Sequence, residues 1–152
     1  MTRKAVNLMN MTQLNPYLTF NGNCHEAMNF YRDCLGGELA VQTIGESPMA
    51  STIPEEMKHY ILHAALVNPA LTLMATDCVG PDGLTKGNSI SLCINCASEE
   101  EIRMLYKRLS EGGAITQPLM DTFWGALFGG LTDKYGNHWL LNYSKNIARC
   151  LA

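Results

Sequence analysis

Histidine offers the most versatile chemistry in this 152-residue chain, which contains four of them. His63 stands out because it lies in an alternating segment in which Leu62, Ala64 and Leu66 form the apolar set. Alternate residues of a strand point to opposite faces, so we expect the His63 imidazole to lie opposite the core. There it could take up or release a proton near neutral pH, which makes His63 the candidate catalytic residue, a general base. The alternative is a hydrogen-bonded histidine of the core.

The same alternation selects candidate ligand-binding side chains. Met74 and Asn142 fall opposite the apolar positions of their segments, as do Ser89 and Ser91. Two aromatic residues share a face in a later segment, and the first strand-like segment, whose alternation is less regular, adds a third. The set is Phe20, Met74, Ser89, Ser91, Trp124, Phe128 and Asn142. Apolar walls with a few polar groups are typical of small-molecule pockets, although these aromatic side chains could also simply fill the core.

Composition and motifs argue against several other function classes. The formal net charge is −3, with no basic stripe of the kind that nucleic-acid binders carry, and no apolar run approaches the ~20 residues that cross a bilayer. The GxSxG, GxxxxGK[ST] and GxGxxG motifs are missing from the sequence. Cys93 and Cys96 form a CxxC at the end of a strand pattern, where residues three apart face opposite ways. A nucleophilic pair of Cys93 with His63 is conceivable, but no spacing supports it.

The two ends of the chain are predicted to be tails, residues 1–10 and 146–152. The first has a basic start without an apolar run of signal-peptide length, which favours a cytoplasmic protein. In that compartment the six cysteines are expected to be reduced thiols rather than disulfides.

Two helices are predicted with the same internal register. The first follows Asn23, with Glu26 completing a capping box, and the second follows Ser98, with Glu101 in the same place. The apolar stripes recur at the same offset of 75, about half of the chain, and so do the glycines Gly37 and Gly112 that follow them. This register favours an internal duplication over two unrelated amphipathic helices.

Each predicted helix has one strand-like segment before it and three after it. The fold prediction is therefore α+β: a single domain, 11–145, of two βαβββ modules at about 14–76 and 89–143. The irregular stretch 45–58 is either a connection or a lid over a site.

Several strings in this doubled unit resemble the vicinal oxygen chelate superfamily (glyoxalase, bleomycin resistance, dioxygenase), and in particular its PhnB-like branch. They are NPY (15–17), NGNCHEA (21–27), FY (30–31), LGG (35–37), TFWG (122–125), DKYG (133–136) and Trp139. The resemblance implies two curled mixed sheets around a cavity. It also implies a homodimer, since members of the superfamily are commonly dimers and some exchange modules between chains. Relatives often carry a demethylubiquinone methyltransferase label, but the sequence has no glycine-rich loop for S-adenosylmethionine.

Metal-dependent members of that superfamily hold a divalent cation with His and Glu from four strands. Matched onto this chain, those positions fall on Pro16, Ser89, Leu140 and, within a residue or two, Met74. Proline and leucine side chains cannot ligate a metal, and serine and methionine are poor ligands for hard cations. We therefore expect no metal at the usual positions and no other cofactor.

The leading hypothesis is a dimeric small-molecule-binding protein that lacks the usual metal ligands and that could sequester a drug. One alternative is a metal-dependent lyase or dioxygenase with a relocated site, using His63 with Asp77 or His138. Another is a metal-free enzyme in which His63 is the general base and Ser or Asn groups stabilise an oxyanion. A last one is a scaffold whose own side chains fill the pocket.

Overall fold

The structure is a computed structural model that describes residues 12–145. The two predicted tails, 1–10 and 146–152, lie outside the described residues. None of the helices between residues 12 and 145 is both long and apolar enough to span a bilayer.

The first module is a four-stranded sheet covered on one face by a helix. Its elements are β1 (Tyr17–Thr19), α1 (Cys24–Leu35), β2 (Glu38–Thr43), β3 (Ile61–Asn68) and β4 (Leu71–Thr76). The strand order is β1-β4-β3-β2, with β1 parallel to β4 and the other pairs antiparallel.

The second module repeats this arrangement. Its elements are β5 (Leu92–Asn95), α2 (Glu99–Ser110), β6 (Ala114–Asp121), β7 (Ala126–Thr132) and β8 (His138–Ser144). The strand order β5-β8-β7-β6 and the parallel β5–β8 pair match the first sheet. The predicted α+β fold of two βαβββ modules is confirmed, and the two helices are offset by 75 residues at both ends.

The modules differ most between their second and third strands. In the first, three short 3₁₀ turns separate β2 from β3: Ile44–Glu46, Pro48–Thr52 and Glu55–Met57. In the second, β6 and β7 are joined by the four residues 122–125, so Trp124 lies in a turn and not in the strand predicted for it.

Some side chains lie elsewhere than strict strand alternation would place them. Alternation would put Ile61 on the same face as His63, but Ile61 is fully buried because the β2–β3 register shifts between Gln42 and Thr43. Alternation would put Ile90 in the core with Leu92 and Ile94, but Ile90 is 76% exposed because β5 begins only at Leu92. Ser89, predicted on that strand, also precedes it.

The helix N-termini are satisfied in two different ways. Ser98 caps α2 as predicted, its hydroxyl accepting the Glu101 N–H at 3.1 Å. Asn23 makes no side-chain cap at α1. Instead, the buried Asp77 carboxylate, which follows β4, accepts the N–H groups of Gly22 (2.8 Å) and Cys24 (3.0 Å). Asp77, which is distant in sequence, therefore caps α1 in place of the predicted local capping box.

One hydrophobic core joins both modules. It takes the inner faces of α1 and α2 and one face of each sheet, including Leu66 and Ala75 from the first and Leu131 and Leu141 from the second. α1 also contacts α2 directly. The sheet faces opposite this core are therefore the ones left for a ligand.

A cluster of mostly buried polar side chains connects the two modules by hydrogen bonds. Asp133, in the turn after β7, accepts hydrogen bonds from the Tyr31 hydroxyl of α1 (2.6 Å) and the Trp139 indole N–H (2.8 Å). The Asn137 amide donates to the same Tyr31 oxygen at 2.7 Å. Burial and the Asp133 charge raise the pKa of Tyr31, so its hydroxyl stays protonated and donates.

Candidate ligand-binding site

The faces of the two sheets that point away from the core carry most of the predicted site residues. We call them the first open face (Tyr17, Gln42, His63, Ala65 and Met74) and the second open face (Cys93, Phe128, Leu140 and Asn142). Core packing by their strand neighbours places them there: Ala64 and Leu66 in β3, and Trp139 and Leu141 in β8, are buried. Every residue of both sets is at least partly exposed, so neither face is closed off from solvent.

His63 lies on the first open face, as predicted, and is not a core residue. Its Nδ1 lies 3.1 Å from the Tyr17 hydroxyl, and the two rings are 5.8 Å apart. Tyr17 and Ala65 both pair with Met74, which brings these side chains to one patch of the sheet. Within residues 12–145, Nε2 of His63 has no hydrogen-bond partner and is available to a ligand.

The sequence reasoning assigned Phe20 to the open face of the first module, but it is Tyr17 that lies there. Phe20 is 1% exposed and packs edge-on against Tyr135 in the core, with its backbone N–H bonded to the Thr76 carbonyl. Leu18 packs against the same core. The signal available was the pair of large apolar residues Leu18 and Phe20, which assigns Tyr17 and Thr19 to the opposite face.

The second open face ends in an aromatic cluster. Phe128 lies on β7, and its ring is 6.3 Å from that of Trp124 in the β6–β7 turn. Trp124 in turn meets Phe123 edge-on at 4.9 Å. Phe123 is 98% exposed and Trp124 57%, so these rings do not fill the core. Sequence reasoning placed Trp124 and Phe128 together correctly and overlooked Phe123.

The polar candidates of the second module divide between two places. Asn142 lies on the second open face, where its amide donates to Asn95 at 3.2 Å and its backbone pairs with Phe128. Ser91 instead lines a crevice of about 210 Å³ at the seam between the modules, together with Cys93 and Pro16. Ser89 is exposed in the connecting segment before β5 and lies on neither open face.

A larger cavity of about 310 Å³ lies under the connection between the modules. Residues of that connection, among them Lys86 and Ile90, form one wall, and β1 with His138 forms another. His138 is held by Thr132 (2.9 Å from Nδ1) and by the Gly87 carbonyl (3.1 Å from Nε2). This histidine secures the connection to β8 and does not approach His63 by any contact in the described residues.

The positions matched to metal ligands carry no His, Asp or Glu side chain. Pro16 contributes its backbone carbonyl to the Met74 N–H at 3.1 Å, and Leu140 is an apolar residue of the second open face. Asp77, the candidate partner of His63 in a relocated site, is occupied by backbone N–H groups, including that of Ile61 at 2.8 Å. No three His, Cys, Asp or Glu side chains come together anywhere in the described part of the chain.

The thiols of Cys93 and Cys96 are not activated toward the thiolate form. Cys96 is buried in the core while Cys93 is exposed on the second open face, as the strand alternation predicted. Burial, together with the Glu101 charge, raises the pKa of Cys96 to about 11, and burial also raises the pKa of Cys93. Both are thiols at neutral pH, whereas redox and metal sites use the thiolate.

Comparison with known proteins places this geometry in a family. A profile of the family described as 3-demethylubiquinone-9 3-methyltransferase matches residues 12–142. Protein YjdN of Escherichia coli is 32% identical over 141 residues, which cover 87% of this chain and 95% of YjdN.

Solved structures agree. Protein PA1353 of Pseudomonas aeruginosa superposes with a TM-score of 0.77 at 40% identity, over 88% of this chain and 98% of that one. A PhnB protein from Bacillus cereus gives 0.71 at 28% identity, over 88% and 100%. A likeness of fold alone extends to the fosfomycin resistance protein FosX of Listeria monocytogenes, with a TM-score of 0.61 at 11% identity over 91% and 98%. The chain therefore belongs to the PhnB-like family described as 3-demethylubiquinone-9 3-methyltransferase, and it shares the fold of glyoxalase/bleomycin resistance proteins.

Proposed function

We propose that this protein binds a small molecule on its open sheet faces. The observation that carries the proposal is the pairing of two exposed faces, one with a hydrogen-bonding Tyr17–His63 pair and one with an aromatic cluster. Small-molecule sites combine apolar walls with a few oriented polar groups in this way. Met74, Phe128 and Asn142 serve as further wall and contact residues.

The proposed binding chamber is completed by a second copy of the chain, because one chain leaves both faces exposed. The sheet edges support this arrangement. β2 and β6 each pair with one strand only, and they expose the apolar side chains of Val41, Ile115 and Met120. Free edge strands are normally protected by charged side chains, and each of these strands carries only one, Glu38 in β2 and Asp121 in β6. Edges of this kind are suited to being covered in a homodimer.

The proposed binding does not require a divalent metal or another cofactor. By the resemblance, the ligand positions of metal-dependent superfamily members match Pro16, Ser89, Leu140 and, within a residue or two, Met74, and none of these side chains suits a hard cation. We therefore do not propose a metal-dependent lyase or dioxygenase. Nor do we propose methyl transfer for this chain, whose sequence lacks a glycine-rich loop for a nucleotide-like methyl donor.

Ligand-observed NMR against a fragment library tests the proposal, with Met74→Arg as the blocking variant. Arginine at position 74 should cover the first open face and abolish most of the hits. Met104→Arg on α2, where Met104 is 42% exposed, is the matched control and should keep them. Hits that survive Met74→Arg, or a library without hits, would contradict the proposal. Light scattering should give the mass of a dimer, and binding should survive exhaustive treatment with EDTA.

A second candidate function rests on one contact, that between the Tyr17 hydroxyl and His63 Nδ1. A tyrosine that holds one imidazole nitrogen can orient the other toward a substrate, as a metal-free general base requires. Its test is deuterium incorporation from D₂O into a panel of carbonyl compounds with acidic α C–H bonds. Incorporation should be lost in His63→Ala and reduced in Tyr17→Phe; equal incorporation in the wild type and His63→Ala would exclude this function.

A further inference from the structure

The strands that build the two open faces contain no lysine or arginine side chain. None of the residues of β1–β8 is a lysine or an arginine, and the only carboxylates among them are Glu38 and Asp121. A phosphate, phosphonate or sulfonate bound to either face would have to leave water without a guanidinium or ammonium group from the sheet. Desolvating an unpaired anion is strongly unfavourable.

The cations elsewhere in residues 12–145 are mostly engaged. Arg32, Lys58, Arg103 and Lys145 each form an ion pair with a nearby carboxylate. Three others interact with backbone carbonyls or aromatic rings: Lys86 with the Tyr135 carbonyl, Arg108 with the Asp33 carbonyl, and Lys134 with the Phe30 ring. Lys145, the cation at the base of the β6–β7 turn, is neutralised by Asp121.

The two helix N-termini are also closed to an anionic ligand. A helix N-terminus is the other common anion site of a protein, because its N–H groups are unpaired. At α1 the Asp77 carboxylate already occupies Gly22 and Cys24. At α2 the Ser98 cap is followed by the three glutamates 99–101 in the first turn. Neither end can attract a second negative charge.

The second open face instead offers exposed π-surfaces. Phe123, Trp124 and Phe128 form a continuous chain of edge-on contacts, with two of the three rings largely exposed. Aromatic faces carry negative partial charge, so they stack on planar ligands and attract cations.

We propose that the Phe123–Trp124–Phe128 cluster recognises planar aromatic ligands that are cationic or uncharged, and that it discriminates against anionic ligands of the same shape. This inference rests on the proposed small-molecule binding and specifies its chemical class. Trp124 is the central ring, because it contacts both of the others.

Three probes test the inference by isothermal titration calorimetry with the full chain. They share the 1-naphthylmethyl group, and the group attached to it is cationic, uncharged or anionic. They are 1-naphthylmethylammonium, 1-naphthalenemethanol and 1-naphthylmethylphosphonate. We expect the ammonium and alcohol probes to bind at least about tenfold more tightly than the phosphonate. In Trp124→Ala both should weaken by roughly tenfold, whereas Met104→Ala, which truncates an exposed apolar side chain of α2, should change neither.

The possible outcomes separate this inference from the proposed function. A phosphonate that binds as tightly as the other probes would overturn the charge preference while small-molecule binding stands. Binding that is unchanged in Trp124→Ala would overturn the location. A complete lack of binding by all three probes, with fragment hits that Met74→Arg abolishes, would overturn this inference alone. Loss of the fragment hits themselves would overturn the proposed function.

Discussion

The two modules have the same order of elements and strands, and they differ in the side chains of their open faces. Their helices correspond residue for residue at an offset of 75, and their sheets have the same strand order. Yet one open face carries the Tyr17–His63 pair and the other an aromatic cluster. The comparison teaches that the repeated apolar pattern maintains the fold, while open-face positions can diverge because they are not constrained by the core. Matched substitutions in the two modules can test how far the equivalence extends.

The largest difference in the free energy of unfolding is expected between variants of the two helix caps. Asp77→Ala leaves the N–H groups of Gly22, Cys24 and Ile61 without their acceptor, and we expect a loss of about 3 kcal/mol or more in the free energy of unfolding. Ser98→Ala removes one exposed cap bond and should cost about 1 kcal/mol. Urea unfolding of both variants measures this, and equal losses would show that Asp77 is not the dominant cap.

The next comparison is between two tyrosines at the same helical position. Tyr31→Phe removes the hydroxyl that bridges Asp133 and Asn137 in the buried interface, and should cost about 2 kcal/mol. Tyr106→Phe, 75 residues on, removes an exposed bond to the Gln117 carbonyl and should cost about 0.5 kcal/mol or less. Thermal and urea unfolding give both values. Similar costs would mean that the Asp133 cluster does not hold the modules together.

A third prediction concerns pH and the buried thiol at the start of α1. Burial, with the Asp77 charge, raises the pKa of Cys24 from 9.0 to about 12. The unfolded chain therefore loses this proton at lower pH than the folded chain does, and stability falls as the pH rises from 9 toward 12. Cys24→Ala should reduce that slope by up to about 1.4 kcal/mol per pH unit.

The measurement is urea unfolding between pH 8.5 and 10.5 under reducing conditions. Met104→Ala, which truncates an exposed side chain that does not titrate, is the control and should retain the wild-type slope. If Cys24→Ala and the wild type lose stability in parallel, Cys24 does not ionise on unfolding as proposed.

The smallest difference is expected between two glycines that follow the helices at neighbouring, not equivalent, positions: Gly36, and Gly112, which corresponds to Gly37. Gly36 and Gly112 have φ of 74° and 75°, values that side chains with a Cβ resist. Alanine at either position should cost about 1 kcal/mol, by nearly equal amounts, because the strain is local. Calorimetric unfolding of the two variants tests this equality. A much larger loss at Gly112 would point to its neighbour Lys134, which lies 3.3 Å from an added Cβ.

The sequence by itself determined the doubled architecture and part of each open face. Helical stripes and strand alternation depend on local periodicity, and the core follows that periodicity wherever the strands are regular. For this reason His63, Met74, Phe128 and Asn142 all lie opposite the core, as predicted. The prediction failed where regularity ends: at Phe20 just beyond β1, at Ser89 before β5, and at Ile61 beside a register shift.

Only the tertiary structure decided which distant groups meet. The sequence could not show that Asp77 would cap α1 in place of the Asn23 box, or that Tyr31 would donate to Asp133. These bonds join residues 53 and 102 positions apart, whose approach depends on tertiary packing. The contact between Tyr17 and His63 is of the same kind, since it needs β1, β4 and β3 to lie side by side in one register. Periodicity assigns a side chain to a face, and the three-dimensional packing of the strands and helices then selects its partners.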